Sequence, residues 1–257
     1  MVLKYEATSD LYKAKLKNVR HLCLTMDIWT ETMAEKGYLG ITAHYLEGTD
    51  FRSINLSVKQ MTTNHTAENI KTAVLETIAE WDIENAKVVS VVTDNANNMI
   101  AAMRKAFDHR RLPCFAHTLN LVTQTATSLD DINDVIIKIR SIVKYFKNSV
   151  NASDKLRKVQ TASGVAEGNV LMLQKDVPTR WNSKFYMIDR FMDMRKIVAD
   201  ILMDDSNGPP MLTSTELELS KQLLQLLKPF EFVTRDISGQ KYVTLSKNYS
   251  DCAMPPI

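Results

Sequence analysis

The run VVSVV at 88–92 constrains this chain more than any other feature, because it is apolar apart from Ser90 and too short for a buried helix. A strand of that composition is buried on both faces of a sheet, which is the pattern of a strand with a parallel partner. The stretch before it, TAENIKTAVLETIAEW at 66–81, places Ile70, Val74, Ile78 and Trp81 at helical spacing behind Thr66, a residue type that caps helix N-termini. A helix leading into a buried strand over about 85–93 predicts an α/β arrangement.

Three segments upstream read differently. Residues 20–29, 37–46 and 51–60 carry β-branched and aromatic residues in partial alternation, broken at Gly37, Gly48 and Asp50. Alternation with tight connections predicts an antiparallel meander. Downstream, ANNMIAAMRKAF at 96–107 predicts a helix, and HTLNLVTQTATS at 117–128 another. The expected order is strand, strand, strand, helix, strand, helix.

Near residue 130 the period changes for good. Ile132, Val135, Ile136, Ile139, Ile142, Val143, Phe146 and Val150 recur at three- and four-residue steps, with Lys138, Lys144 and Lys147 on the wet side. Comparable patterns run from about 183 to 203 and from about 215 to 238, the last with Pro229 inside it as an expected kink. The chain therefore divides into a mixed α/β part over 1–129, an all-helical part over 130–247, and a tail over 248–257 without periodicity. With 257 residues and 45% hydrophobic content, it has enough apolar material for one large domain or two small ones.

Charge and cysteine content narrow the function classes. Thirty-two Lys and Arg against thirty Asp and Glu leave a net charge of +2, so binding to nucleic acid must rest on local sites and not on bulk charge. Cys23, Cys114 and Cys252 are odd in number and far apart, which suits a reducing compartment, cytosolic or nuclear, better than a disulfide framework. No apolar run approaches the roughly 18 residues of a membrane span, and no membrane partner is expected.

Two carboxylates stand out. Asp27 lies near the exit of the first strand in CLTMDIWT (23–30), and Asp94 just past the exit of the fourth in VVTDNANNM (91–99). Ligands of α/β sheets gather at the carboxyl ends of strands. If strands one and four are parallel neighbours, the two carboxylates face one another and repel unless a proton or a cation lies between them. Such a pair suits Mg²⁺, which takes one or two carboxylates and completes its shell with water and phosphate oxygens. An Asp followed by Asn at a strand end is also a common turn or helix cap, and spacing alone favours that reading.

The segments TMDIWT (25–30), TDNANNM (93–99), CFAHTLNL (114–121) and TRWNS (179–183), in that order, resemble the hAT (hobo/Activator/Tam3) transposases and the BED-type zinc-finger proteins derived from them, over roughly residues 10–247. The resemblance implies a ribonuclease-H-like mixed sheet with flanking helices, followed by part of a helical insertion domain. It implies that Asp27 and Asp94 correspond to the first two catalytic, metal-binding acids, with Mg²⁺ as the cofactor. Trp181 corresponds to the insertion-domain tryptophan near the active site and DNA hairpin. It also implies a nuclear protein with DNA and hAT-type relatives as partners. The pattern departs from the family at KNYSDCAMPPI (247–257) and in lacking a BED finger, so the expected product is a remnant without the third acid or the dimerisation region. That remnant would act by DNA or protein association in transcription or chromatin and not as an enzyme. The alternatives are an active Mg-dependent transposase or nuclease, which needs a further acid such as Glu231, and a protein-interaction module.

Other residues were weighed against structural roles. Cys114 and His117 have half the spacing of a zinc site without a second pair, so a structural motif is expected and no zinc. Trp181 would stack on an unpaired base or pack, and without the resemblance packing is favoured; Arg180 beside it is a candidate phosphate contact. The basic run RKAFDHRR (104–111) is a secondary DNA-contact candidate and otherwise a solvated face. An incomplete helical part would expose apolar surface around Leu223, Leu227 and Phe230.

Overall fold

The computed structural model describes residues 2–31, 35–177 and 180–238; Thr179 of the TRWNS segment and the tail over 248–257, with Cys252, lie outside the described residues. Two compact units emerge among the described residues, one up to Thr118 and one over Leu119–Ser238. The change falls inside one helix, about three helical turns before the composition shift near 130.

The first unit opens with α1 (Val2–Asn18), which the expected order of elements did not include, and Leu16 is the residue it buries in the core. The strands β1 (Leu22–Glu31), β2 (Lys36–Glu47) and β3 (Asp50–Met61) form the expected meander, each antiparallel to the next. The predicted helix is α2 (Ala67–Glu80), and Thr66 caps it by accepting the Asn69 N–H at 3.3 Å. After a short turn, β4 (Val88–Thr93) runs parallel to β1, with Thr25 opposite Val92. Helix α3 (Asn97–Phe107) then leads into β5 (Arg111–Pro113), a short strand parallel to β4 that no periodicity announced. The sheet order is β3-β2-β1-β4-β5.

The parallel partners expected of VVSVV are therefore present on both sides of β4. Burial on both faces is not complete, since Val89 remains 46% exposed. Val89 is the residue skipped where the β1–β4 register shifts between Leu22 and Cys23, which takes its side chain out of the alternation.

One face of the sheet is apolar and covered. Leu22, Leu24 and Met26 of β1 and Leu39, Ile41, Ala43 and Tyr45 of β2 join Ile70, Val74 and Ile78 of α2 and Met99, Met103 and Phe107 of α3 in one core. Because side chains alternate along a strand, Cys23, Thr25 and Asp27 point to the opposite face. The odd carboxylate in an otherwise apolar strand is thus the out-of-phase residue of a regular alternation. At the far edge, the β2–β3 register slips between Ile41 and Thr42, which leaves Leu56 as a bulge residue on β3. Its carbonyl accepts the Trp81 indole N–H at 2.8 Å.

The second unit contains the rest of α4 (Phe115–Thr127), then α5 (Asp130–Asn148), α6 (Val150–Ala162), α7 (Trp181–Met203) and α8 (Ser214–Ile237). Val135, Ile139, Val143 and Phe146 of α5, Phe185, Ile188 and Phe191 of α7, and Leu223 and Leu227 of α8 form its core. Helix α8 begins with a complete capping box, Thr213 and Glu216 each bonding the other's backbone N–H. The expectation of an exposed stripe at Leu223, Leu227 and Phe230 is corrected here. Leu223 is 4% and Leu227 1% exposed, Phe230 packs against the same core, and the exposed apolar residues of α8 are Leu226 and Phe232. The stripe is consumed by packing on α5 and α7. Among the described residues no helix is long and apolar enough to cross a membrane.

A partly covered ion pair also organises this unit. Arg140 of α5 grips Asp176 with both Nε and Nη2, at 2.7 Å for the shortest bond, and the Asp176 side chain is only 5% exposed. The hydrogen bonds from Arg140 hold the Asp176 carboxyl below the usual carboxylate range, against the opposing effect of burial. Because the folded-state pKa is depressed, this contribution to stability is fully present above the unfolded value of about 4 and is lost as pH falls through the folded one. Arg140→Gln is expected to destabilise the unit by about 1–3 kcal/mol at neutral pH, by leaving a carboxylate unpaired. Its urea midpoint should also fall less than the wild type's when measured below about pH 4. A variant whose loss is the same at pH 7 and pH 3 would refute the assignment.

Candidate functional site

The β1–β4 register fixes the geometry of the two acids. Thr25 pairs with Val92 on parallel neighbouring strands, so Asp27, two residues further along β1, and Asp94, in the turn just past the end of β4, come near enough for the charge of Asp94 to act on Asp27. The Asp27 carboxyl is pushed above its ordinary range, first by the protein around it and next by the negative charge of Asp94; the Ile28 backbone N–H and His117 pull it the other way. The repulsion anticipated from the sequence is therefore a property of the folded chain. Asp27 keeps solvent access.

Asp94 has two roles at once. Its Oδ1 accepts the Ala96 N–H at 3.1 Å, the turn geometry that Asp followed by Asn commonly adopts. Helix α3, which follows, has no side-chain cap at Ala96. The turn thus uses one oxygen of Asp94. Among the described residues no ion pair involves Asp94.

The CFAH segment closes around this turn. The Cys114 N–H donates to the Thr93 carbonyl at 2.7 Å, and the Cys114 carbonyl accepts from the Thr118 N–H at 3.0 Å and from Thr118 Oγ1 at 3.1 Å. Cys114 thereby joins the end of β4 to the first turn of α4 through its backbone, and its thiol is free. His117, on that first turn, is the positive neighbour of Asp27. Among the described residues no group of three or more His, Cys, Asp and Glu side chains could hold a metal.

A divalent cation fits the donor set as far as this chain supplies it. Two neighbouring carboxylates, the Asp27 group exposed to solvent, are hard oxygen ligands for an ion that takes its other ligands from water and phosphate. Next to them, Trp29 lies 40% exposed, stacked on Tyr38 with ring centroids 5.8 Å apart. The indole crosses Gly40, where a Cβ would come within 2.9 Å of the ring. Gly40, paired with Asp27, is what allows the aromatic surface to lie flat.

The remaining candidates fall into place differently. Trp181 is 4% exposed and belongs to the core of the second unit, and its N–H donates to Asn120 Oδ1 at 3.2 Å. Arg180, the residue before it, is exposed. Glu231 is buried in the second unit, where it accepts the Tyr186 hydroxyl at 2.6 Å and lies 3.7 Å from Arg235. The basic run at 104–111 is largely committed to internal partners: Lys105 to Glu68, and Arg110 to the carbonyls of Phe107, Asn85 and Val88. Arg111, from the same run, is the residue that sequence reading missed. Its guanidinium reaches Thr93, Asp94 and Asn95. Only its place three residues before Cys114 could have marked it.

Comparison with known proteins bears on both units. The family profile described as the ZBED1 RNase-like domain matches residues 25–116, and the one described as the ZBED1 RNase-like helical domain matches residues 112–226. The human Zinc finger BED domain-containing protein 4 is 23% identical over 249 residues, covering 92% of this chain and 21% of that protein. The Hobo transposase of Drosophila melanogaster is 29% identical over 179 residues, 69% of this chain and 25% of that protein. A Putative transcriptional regulator, tpeD, of Talaromyces stipitatus is 24% identical over 264 residues, 90% of this chain and 31% of that protein. The chain thus spans about a fifth to a third of the length of these relatives.

Proposed function

We propose, from the premise that this chain belongs to the BED-type proteins derived from hAT transposases, that it acts in the nucleus by associating with DNA, using Asp27 and Asp94 to hold a divalent cation against the phosphate backbone. The observation that supports this reading is the parallel β1–β4 pairing, which brings the Asp94 turn close enough to Asp27 for one carboxylate to feel the charge of the other. Mg²⁺ is the expected ion. When bound, it would supply charge neutralisation to a phosphate and polarise its oxygens. Asp27 and Asp94 bind, the CFAH segment holds the end of β4 in place, and the charge of His117 moderates the local negative potential. Association in transcription or chromatin draws support from similarity to a protein described as a transcriptional regulator. Strand cleavage is the competing reading, favoured by similarity to a transposase and by the same two acids.

The two readings separate in one experiment. The purified chain is incubated with end-labelled duplex DNA, including hAT terminal-repeat sequence, and Mn²⁺. We expect a retarded complex, uncut, whose Mn²⁺-dependent component weakens in Asp27→Asn and Asp94→Asn. Losing a carboxylate ligand should cost more than the roughly 10–100-fold typical of outer-shell changes in Mn²⁺ affinity. Metal-dependent nicking that disappears in both variants would replace association with cleavage.

A further inference from the structure

Arg111 has an unusual relation to the acid it adjoins. It opens β5 opposite Val91 of β4, and its side chain reaches the turn that follows Thr93. Nε donates to Thr93 Oγ1 at 2.9 Å, while Nη2 donates to the Asp94 carbonyl and, at 2.7 Å, to Asn95 Oδ1. Three consecutive residues are thus held by one rigid guanidinium fork, which a lysine, with a single compact charge, cannot reproduce. The bond to Asp94 goes to its main-chain carbonyl. A guanidinium next to a carboxylate ordinarily takes it bidentately, and here it does not.

The consequence is a clamped turn whose acid feels the charge of Arg111 while the Arg111 hydrogen bond goes to the main-chain carbonyl. The Asp94 backbone is fixed by Arg111 on one side, and the adjoining Thr93 carbonyl by the Cys114 N–H. Asn95 is tied in turn, its Nδ2 lying 3.5 Å from Thr118 Oγ1. Among the described residues the Asp94 carboxylate accepts the Ala96 N–H and no side-chain hydrogen bond, which leaves it available to a cation from outside the chain. An ion pair with Arg111 would have stabilised the fold and closed that position.

We infer that Arg111 is a positioning residue for the acid pair: it holds the Thr93–Asn95 turn so that the Asp94 carboxylate stays near Asp27 and open to a metal ion. This rests on the reading that the pair binds a divalent cation. The arrangement assigns Arg111 no contact with phosphate or metal, and its effect passes through the orientation of Asp94.

The test uses the full chain and Mn²⁺ alone as probe, with bound and free ion measured by electron paramagnetic resonance and folding followed by circular dichroism. Arg111→Gln and Arg111→Lys are compared with Arg110→Gln, which removes bonds to Phe107, Asn85 and Val88 but leaves the turn untouched. Both Arg111 variants are expected to fold and to bind Mn²⁺ about tenfold more weakly or worse, with a broadened bound-ion spectrum. Arg110→Gln should lower the thermal midpoint and leave affinity within about twofold. Wild-type affinity in a folded Arg111→Gln or Arg111→Lys chain overturns the inference while the metal reading stands. Loss of fold in both also overturns it, because Arg111 then serves the fold and not the site. A wild-type chain that binds no Mn²⁺ removes the metal reading and this inference together.

Discussion

Trp181→Ala is expected to destabilise the helical unit by about 3–5 kcal/mol, the range for truncating a large aromatic in a core. The indole opens α7 with 4% of its surface exposed and lies in the cluster of Phe185, Ile188 and Phe191. Its removal takes away a large apolar contact and leaves a cavity that three neighbouring helices cannot close without moving. The start of α7 would suffer too. Arg180 at the N-cap offers no side-chain bond, and the Trp181 N–H finds its acceptor in Asn120, far away in sequence. Equilibrium urea unfolding would show the loss as a lowered midpoint, with Trp181→Phe losing less. Arg180→Ala, at an exposed position, should stay within about 0.5 kcal/mol. An unchanged midpoint in Trp181→Ala would mean that the ring is not packed as described. The contrast matters for function: a DNA-binding defect in Trp181→Ala must first be corrected for unfolding, whereas one in Arg180→Ala need not be.

Phe107→Ala is expected to cost the first unit a similar amount, about 3–5 kcal/mol. Phe107 is fully buried at the end of α3 and packs with Met99 and Met103 under the sheet. It is also part of a local knot. The Phe107 carbonyl accepts Arg110 Nε at 3.0 Å, and the Arg110 guanidinium lies 5.5 Å from the ring centroid. Truncation therefore removes core volume and one partner of a cation held over an aromatic face. Thermal unfolding monitored in the near ultraviolet would report it. A drop of less than about 1 kcal/mol would show that α3 repacks freely against the sheet.

The legible parts of the molecule share a physical cause. β1 to β3 alternate and β4 is nearly continuous in apolar residues, so their side chains alone reveal strands and even the hand of the pairing. Asp27 and Asp94 stood out because each interrupts an apolar pattern, although β1 runs on to Glu31 and Asp27 lies inside the strand, while Asp94 lies just past the end of β4. The missed elements carry little pattern. β5 is Arg-Leu-Pro, too short for a period, with Pro113 tolerated because it ends an edge strand. α6 buries only Ala152, Leu156 and Gln160, a stripe one residue wide. Gln160 makes that stripe effective by exchanging two hydrogen bonds with the Leu171 backbone, a contact with no sequence signature. Arg111 was hidden for a related reason: a basic run reads as a wet face until its partners are known. Leu223 and Leu227 were read correctly as one stripe and wrongly as exposed, since periodicity says which residues share a face and not what covers it.

The bulge at Leu56 has a consequence for how this protein coexists with its own copies. β3 is an outer strand of twelve residues, long enough to template the addition of another chain along its free side. The extra residue interrupts the even spacing of donors and acceptors, and the Trp81 indole occupies the carbonyl that the interruption turns out of line. A neighbouring strand would meet a mismatch halfway along. The sheet that presents Asp27 thus carries a break along its outer margin, which works against strand-by-strand stacking of copies.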